Sequence, residues 1–333
     1  MKAIVFTRYG SPDVLELKDV DRPTPKDDEV LIRVHAASLN DWDCGALDGT
    51  SLVNRLIFGL LKPRIQILGS DIAGRVEAVG KDIRKFRPGD EVFGDLSGRW
   101  GGFAEYVCTR EKALELKAPS MTFEEAAAIP QAGILALQGL RAMGGIKPGQ
   151  RLLINAAGGG VGTFAIQIAK LEGAEVTAVD SPEKLDLLRS LGATHVIDYT
   201  QEDFTKNGRR YDLILDVKTT RSVFDYARAL NRNGKYVTVG GSMGRLFQIL
   251  LLGPWISMTQ SKTLRVLSLK PNQGLSHFNE LFEAGRVAAV IDGPYTLSEI
   301  PKAFRRFGKG LHKGKVVIAV KQSNGSYQSG KSP

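Results

Sequence analysis

Residues 152–170 read LLINAAGGGVGTFAIQIAK, and the parsing of this stretch decides the fold. An apolar run ends at Asn155, a cluster of glycines follows, and a helical apolar pattern takes over near Val161. Strand, glycine-rich turn and helix in that order form the context in which a dinucleotide fingerprint has physical meaning. The register is AxGxxG on Ala157, Gly159 and Gly162, with alanine in place of the first glycine. Gly159 lets the backbone approach a pyrophosphate, and the unpaired N–H groups of the helix start at Gly160 and Val161 meet its charge. Gly162 lets the helix pack closely on the strand. The same letters without a ligand would be a plain glycine turn. The βα context favours a cofactor site.

Downstream, the pattern repeats. AEVTAVD, HVIDY, YDLILDV and KYVTVGG are short apolar runs, separated by amphipathic segments such as PEKLDLLRSLGA. Alternation of this kind predicts βαβ units and a parallel sheet buried on both faces, a doubly wound α/β domain. Asp180 ends the second of these strands. A carboxylate there accepts hydrogen bonds from a ribose diol and repels a 2′-phosphate, which points to NAD(H). Ser181, Lys184 and Tyr199 lie close by in the pattern, and a hydroxyl, an ammonium and a phenol suit a 2′-phosphate. An exposed helix lysine would look the same as Lys184. The two readings conflict at this edge.

Upstream, the character differs. VLIRVHAASLN, AGRVEAVG, RPGDEVFG and GGFAEYVCT read as strands and turns, an all-β unit with a few helices over residues 1–122. A helix around FNELFEAG ends at Gly285, and the helix and strand in YTLSEIPKAFRRFGKG and GKVVIAV fall outside the βα alternation. They are expected to return to the first unit, so 286–321 completes it and 123–285 forms the dinucleotide-binding domain. The polar segment 322–333 is expected to be a disordered tail.

The 333 residues suffice for two domains, and 43% hydrophobic with 24% charged residues is ordinary for a globular chain. Cys44 and Cys108 are the only cysteines, which excludes a disulfide framework and a four-cysteine metal lobe. His35, His195, His277 and His312 are scattered singly and read as surface or packing residues. The opening MKAIVFTRYG is a short strand, not a secretory signal. The most apolar stretch, LFQILLLGPWISM at 246–258, is far short of the ~20 residues of a spanning helix and contains Gly253 and Pro254. It reads as core, subunit contact or pocket wall. The expected location is cytoplasmic. The net charge of +9 permits nucleic acid or an anionic membrane surface as a peripheral contact. No aromatic and basic interleaving of a nucleic-acid module is visible, so nucleic acid is not expected. Lys302, Arg305, Arg306, Lys309, Lys313 and Lys315 form the one basic cluster, read as a solvated helix face and the turn after it.

AASLNDWD, LGSDIAGRVEAVG, FRPGDEVFG, GGFAEYV, AAAIPQAGILALQGL, NAAGGGVG and GKVVIAV together carry a resemblance. Over residues 1 to about 320 the chain resembles the medium-chain dehydrogenase/reductase superfamily, in its zinc-independent quinone oxidoreductase branch. The resemblance implies a GroES-like β-rich catalytic domain beside a Rossmann domain. Zinc-containing members carry Gly-His-Glu where Gly69, Ser70 and Asp71 stand, and a catalytic cysteine where Asn40 stands. None of these positions supplies Cys or His, so no metal is expected. The implied reaction is hydride transfer from NAD(P)H to a quinone or an α,β-unsaturated carbonyl, with NADPH slightly favoured over NADH.

Asn40 matches the active-site asparagine beside the nicotinamide, and Asp43 an acidic residue that orients it or holds a water. A helix-start carboxylate stabilised by the dipole would also explain Asp43. Gly240 and Gly241 match the strand end along the nicotinamide. There are departures. Leu135 replaces a usual threonine, Lys218 and Thr219 replace Val-Gly, and no tyrosine follows the asparagine loop, so the proton donor is unassigned. Relatives pair through the edge of the nucleotide-domain sheet, so a homodimer is expected. A second reading, from another class, is an NAD(P)H-binding sensor or regulatory protein with little turnover. A zinc alcohol dehydrogenase is a third, and the ligand positions speak against it.

Overall fold

A computed structural model of the chain describes residues 1–96 and 98–320. The expected tail at 322–333 lies outside the described residues. The strand Arg151–Asn155, which leads into the glycine turn, sits inside a six-stranded sheet. Glu175–Asp180 and then His195–Asp198 lie to one side, all parallel. Tyr211–Asp216, Leu230–Thr238 and Thr263–Val266 lie to the other, also parallel. Strand order therefore reverses direction beside Arg151–Asn155, the point at which a doubly wound sheet opens a ligand crevice. Leu152, Leu153 and Ile154 are all buried because helices cover both faces, which is why these strands read as unbroken apolar runs. This is a Rossmann-type sheet.

The other large sheet is GroES-like and is built around the ten-residue strand Glu29–Ser38. That strand pairs antiparallel with Asp71–Val79 on one edge. On its other edge lie Tyr106–Arg110 and, further along, Lys315–Ala319. The last of these arrives from beyond the Rossmann-type sheet and brings Ile291–Thr296 with it as a parallel neighbour. Register then sets up the site. Ser38 stands opposite Asp71 on one side and Val317 on the other. The Leu39 N–H continues the ladder by donating to the Val316 carbonyl at 3.0 Å. Continuing both registers by two residues brings Asn40 between Gly69 and Lys315.

The segment at 246–258 lies within one helix, Met243–Gln260. It buries Ile249, Gly253 and Ile256. Gly253 packs so closely that a Cβ there would meet the Leu264 carbonyl at 2.9 Å. Met243, Phe247, Leu250, Leu251, Trp255 and Met258 stay exposed at the spacing of a single helix face. Among the described residues, no helix is long and apolar enough to cross a membrane.

Candidate active site

Asn40 precedes the helix Asp41–Asp48 and is 4% exposed. Its backbone N–H donates to Asp43 Oδ2 at 2.9 Å, and the Gly69 N–H donates to Asp43 Oδ1, also at 2.9 Å. One buried carboxylate thus ties the asparagine loop to the segment before the strand Asp71–Val79. Burial pushes the Asp43 carboxyl up to about 7, and the two backbone donors offset part of that shift. Asn40 Nδ2 donates to Ser70 Oγ at 3.1 Å, while Asn40 Oδ1 accepts from the Lys315 ammonium. The ammonium also pairs with Asp71 Oδ2 at 3.2 Å. Asp71 Oδ2 accepts further from the Gln131 N–H at 3.2 Å, in the first turn of the helix Pro130–Ala142, while the Ser38 hydroxyl, 3.3 Å from the same oxygen, lies 2.8 Å from the Ala127 carbonyl to which it donates. A buried carboxylate at a helix N-terminus beside an ammonium is electrostatically well placed.

The glycine-rich turn lies across the crevice. Gly159 caps the helix Gly160–Leu171. A Cβ on Gly162 would come within 2.4 Å of the Ala157 Cα and carbonyl oxygen, so only glycine lets the helix seat on the turn. The last strand reaches this turn as well, because the Gly314 N–H donates to the Gly158 carbonyl at 2.8 Å. At the far end, Asp180 Oδ2 accepts the Gly158 N–H at 2.7 Å and Asp180 Oδ1 accepts the Ser181 N–H at 2.8 Å. Lys184 Nζ stands 3.2 Å from Asp180 Oδ1. Lys184 is 6% exposed, not the open helix lysine its position suggests, whereas Tyr199 is 53% exposed.

One cavity of about 450 Å³ joins these parts. Asn40, Gly159, Gly160, Val161, Asp180, Lys184, Tyr199 and Gly240 line it. Ala157 and Gly162 lie packed together beneath the turn, and Ser181, Gly241 and Asp43 are not among the lining residues. Gly241 has φ +135° and abuts the Thr219 backbone, where a Cβ would meet the nitrogen at 2.5 Å. Thr219 itself is buried, with its hydroxyl 3.1 Å from the Tyr236 phenol, which donates to Asp216 Oδ2 at 2.7 Å. The Lys218–Thr219 departure is thus a polar brace behind the cavity, while Lys218 and Leu135 line it.

The sequence reading overlooked Gln131, Asn155, Arg221, His312 and Lys315, all of which line the cavity. The Arg221 Nε donates to Asp203 Oδ1 at 3.1 Å, and its guanidinium lies 4.6 Å from the Phe204 ring centroid. His312 stacks on Phe307 at 4.5 Å, and burial lowers its imidazole to about 4, so it is neutral at pH 7. One expectation is overturned. Lys315 does not belong to a solvated basic face, because antiparallel pairing of the last strand carries it into the interior at 4% exposure. Its place in GKVVIAV, at the start of a buried strand, was the available signal.

Residues 26–120 match the family described as alcohol dehydrogenase GroES-like domain, and residues 191–318 match that described as zinc-binding dehydrogenase. Over 96% of its length the chain is 35% identical to the 2-methylene-furan-3-one reductase of Solanum lycopersicum, covering 79% of that protein. It is 33% identical to the chloroplastic NADPH-dependent alkenal/one oxidoreductase of Arabidopsis thaliana, again with 96% and 79% coverage. Among solved structures, the quinone oxidoreductase from Coxiella burnetii superposes with a TM-score of 0.86 at 30% identity, over 96% of this chain and 99% of that one. The chain belongs to the medium-chain dehydrogenase/reductase superfamily, in its zinc-independent quinone oxidoreductase branch. The donors of this medium-chain reductase do not fit zinc, despite the name of the second family. Asn40, Ser70 and Asp71 offer an amide oxygen already taken by an ammonium, a hydroxyl and one carboxylate. Among the described residues, no group of three His, Cys, Asp or Glu is placed to hold a metal ion. A dinucleotide does fit, because Gly159, Gly160 and Val161 present a helix start to the cavity.

Proposed function

We propose that this chain is a metal-independent reductase that uses NAD(P)H, with NADPH preferred, to reduce a quinone or an α,β-unsaturated carbonyl. A single observation carries the proposal: one continuous cavity is lined both by the glycine-rich turn and by Asn40. The similarity to an NADPH-dependent alkenal/one oxidoreductase and to a quinone oxidoreductase supports the substrate class.

Gly159, Gly160 and Val161 would hold the pyrophosphate, with Asp180, Lys184 and Tyr199 at the adenosine end. The bound cofactor supplies hydride at the nicotinamide. The chain's part is orientation and exclusion of water. Asn40 has one amide N–H committed to Ser70 and a second with which to meet a substrate carbonyl. Lys315 fixes which way that amide points. Leu135 and Val239 give the cavity an apolar wall. For the cofactor, both oxygens of Asp180 are occupied by the Gly158 and Ser181 N–H groups and by Lys184, so the carboxylate is spent on holding the turn. This favours NADPH.

Homodimer formation and a cytoplasmic location belong to the same proposal. Thr263–Val266 ends the Rossmann-type sheet, and Met243–Gln260 packs on that strand through Gly253 while its opposite stripe stays exposed. Cys44 and Cys108 are both free thiols. The test is oxidation of NADPH and NADH, side by side, on an ortho-quinone and an enone in chelator-treated buffer. Turnover that prefers NADPH is expected. Turnover that appears only on adding zinc would overturn the metal-free reading.

A further inference from the structure

We propose that Lys315 is the electrophile and proton donor of the reduction, meeting the negative charge that develops on the substrate's carbonyl oxygen. The inference rests on the reductase reading above. An ammonium has three N–H groups, and two contacts are recorded for Lys315, to Asn40 Oδ1 and Asp71 Oδ2. The third N–H remains for the cavity that the side chain lines. Its stem lies against the first residue of the cofactor helix, where a Cβ on Gly160 would stand 3.1 Å from Lys315 Cδ. Its head is at Asn40. The residue therefore spans from the turn expected to hold the cofactor to the amide expected to hold the substrate.

Other acids along the cavity serve less well. Lys184 is paired with Asp180 at the far end, Lys218 is exposed, and Tyr199 is half exposed. His312 is neutral at pH 7 and so lacks a second proton to give. Asp71, with no solvent exposure, stands 3.2 Å from the ammonium, and the Gln131 N–H holds that carboxylate in place. A fixed, buried cation stabilises an oxyanion far better than one in water, and Lys315 is 4% exposed. A positive charge thus stands at the site without a metal ion, and it can also release a proton.

The step balances as follows. Hydride adds to the β-carbon of the enone, or to the quinone, and the displaced electron pair settles on the carbonyl oxygen. An N–H bond of Lys315 breaks as the O–H bond of the enol or hydroquinone forms. The substrate leaves reduced by the two electrons of the hydride that a bound cofactor would supply, and the neutral amine regains its proton from water.

The experiment uses the full chain and the variants Lys315→Met, Lys315→Arg and the double variant Lys315→Met/Asp71→Asn, which leaves neither charge buried alone. Circular dichroism establishes which variants fold. Three readouts follow: NADPH affinity by nicotinamide fluorescence, kcat on an ortho-quinone, and the absorbance of bound 4-nitrophenol as a stand-in for the oxyanion. The wild type is expected to bind 4-nitrophenol as the phenolate, its pKa lowered by about 1–3 units, as an ammonium within a few ångströms dictates. The Met variant and the double variant are expected to lose that shift and about 10²–10⁴-fold in kcat, while NADPH affinity holds. The Arg variant should recover part of both. A folded Met or double variant that keeps its kcat overturns the assignment alone. So does a defect confined to NADPH affinity, which would make Lys315 a cofactor anchor. A wild type inert towards quinones and enones overturns the reductase reading itself.

Discussion

Lys315 and Asp71 face each other 3.2 Å apart, with side-chain exposures of 5% and 0%. Burying such a pair is a poor source of net stability, but removing one partner strands the other charge. Lys315→Met is therefore expected to cost about 3–5 kcal/mol in urea unfolding. Lys315→Met/Asp71→Asn should recover much of that loss. If the single and double variants prove equally unstable, packing rather than charge holds this region together.

Gly162 gives a sharper steric prediction. A Cβ there would meet the Ala157 backbone at 2.4 Å, and backbone cannot rotate away as a side chain can. Gly162→Ala should lower stability by about 1–3 kcal/mol and abolish NADPH binding measured by fluorescence. An alanine variant that binds NADPH normally would show the helix to be seated more loosely than described.

Asp43 governs a pH dependence. Its folded pKa of about 7 lies above the ordinary carboxylate value of 3.8, so the native state holds a proton that the unfolded chain has lost between these limits. Stability from this group is complete below pH 3.8 and is lost as the pH rises to about 7. Asp71 raises the value and Lys315 lowers it, from the two neighbouring strands. His312 has the opposite sign, since its lowered pKa of about 4 adds stability as the pH climbs. The two separate in a difference experiment. Wild-type unfolding free energy minus that of Asp43→Asn should fall from pH 4 to 7 and then level off. A flat difference across this range would mean that Asp43 is ionised throughout.

Cofactor choice rests on two neighbours with distinct jobs. Lys184→Ala should raise the KM for NADPH about tenfold or more while leaving that for NADH nearly unchanged, a loss of about 1.4 kcal/mol. Asp180→Ala should weaken both cofactors, because it frees the Gly158 N–H and loosens the turn. Equal losses of NADPH and NADH in the lysine variant would remove the case for a 2′-phosphate site.

The exposed stripe on Met243–Gln260 predicts association. The full chain should sediment as a dimer, and Leu251→Glu, at a position 74% exposed, should give a monomer that still binds NADPH. A wild-type monomer would leave the stripe without a second copy to cover it.

The fold was legible because its signals are local. The run from Leu152 through Gly162 shows strand, turn and helix in consecutive letters, and the later strands repeat the rhythm. Asn40 was legible through resemblance, and the glycine positions through the steric logic of the turn. Lys315 was not, because its burial depends on antiparallel pairing with a strand at the other end of the chain. In sequence it stands beside Lys313 and looks like one more solvated cation. Asp43 was half legible: its helix-start position was plain, but its grip on the Gly69 N–H depends on a loop far along the chain. Arg221 and His312 carry no motif, and only the folding of their loops towards the crevice gives them a place in it.

The seam between the last strand and the asparagine loop also constrains how the protein is made. Asn40 and Lys315 are separated by 275 positions, with the whole Rossmann-type sheet encoded between them. On the ribosome, that sheet can assemble while the edge of Glu29–Ser38 that receives Lys315–Ala319 still lacks its partner. The wall of the cavity formed by His312, Gly314 and Lys315 is added only after the sheet's strands have been made. Pairing of Lys315–Ala319 is thus the event that brings Lys315 to Asn40.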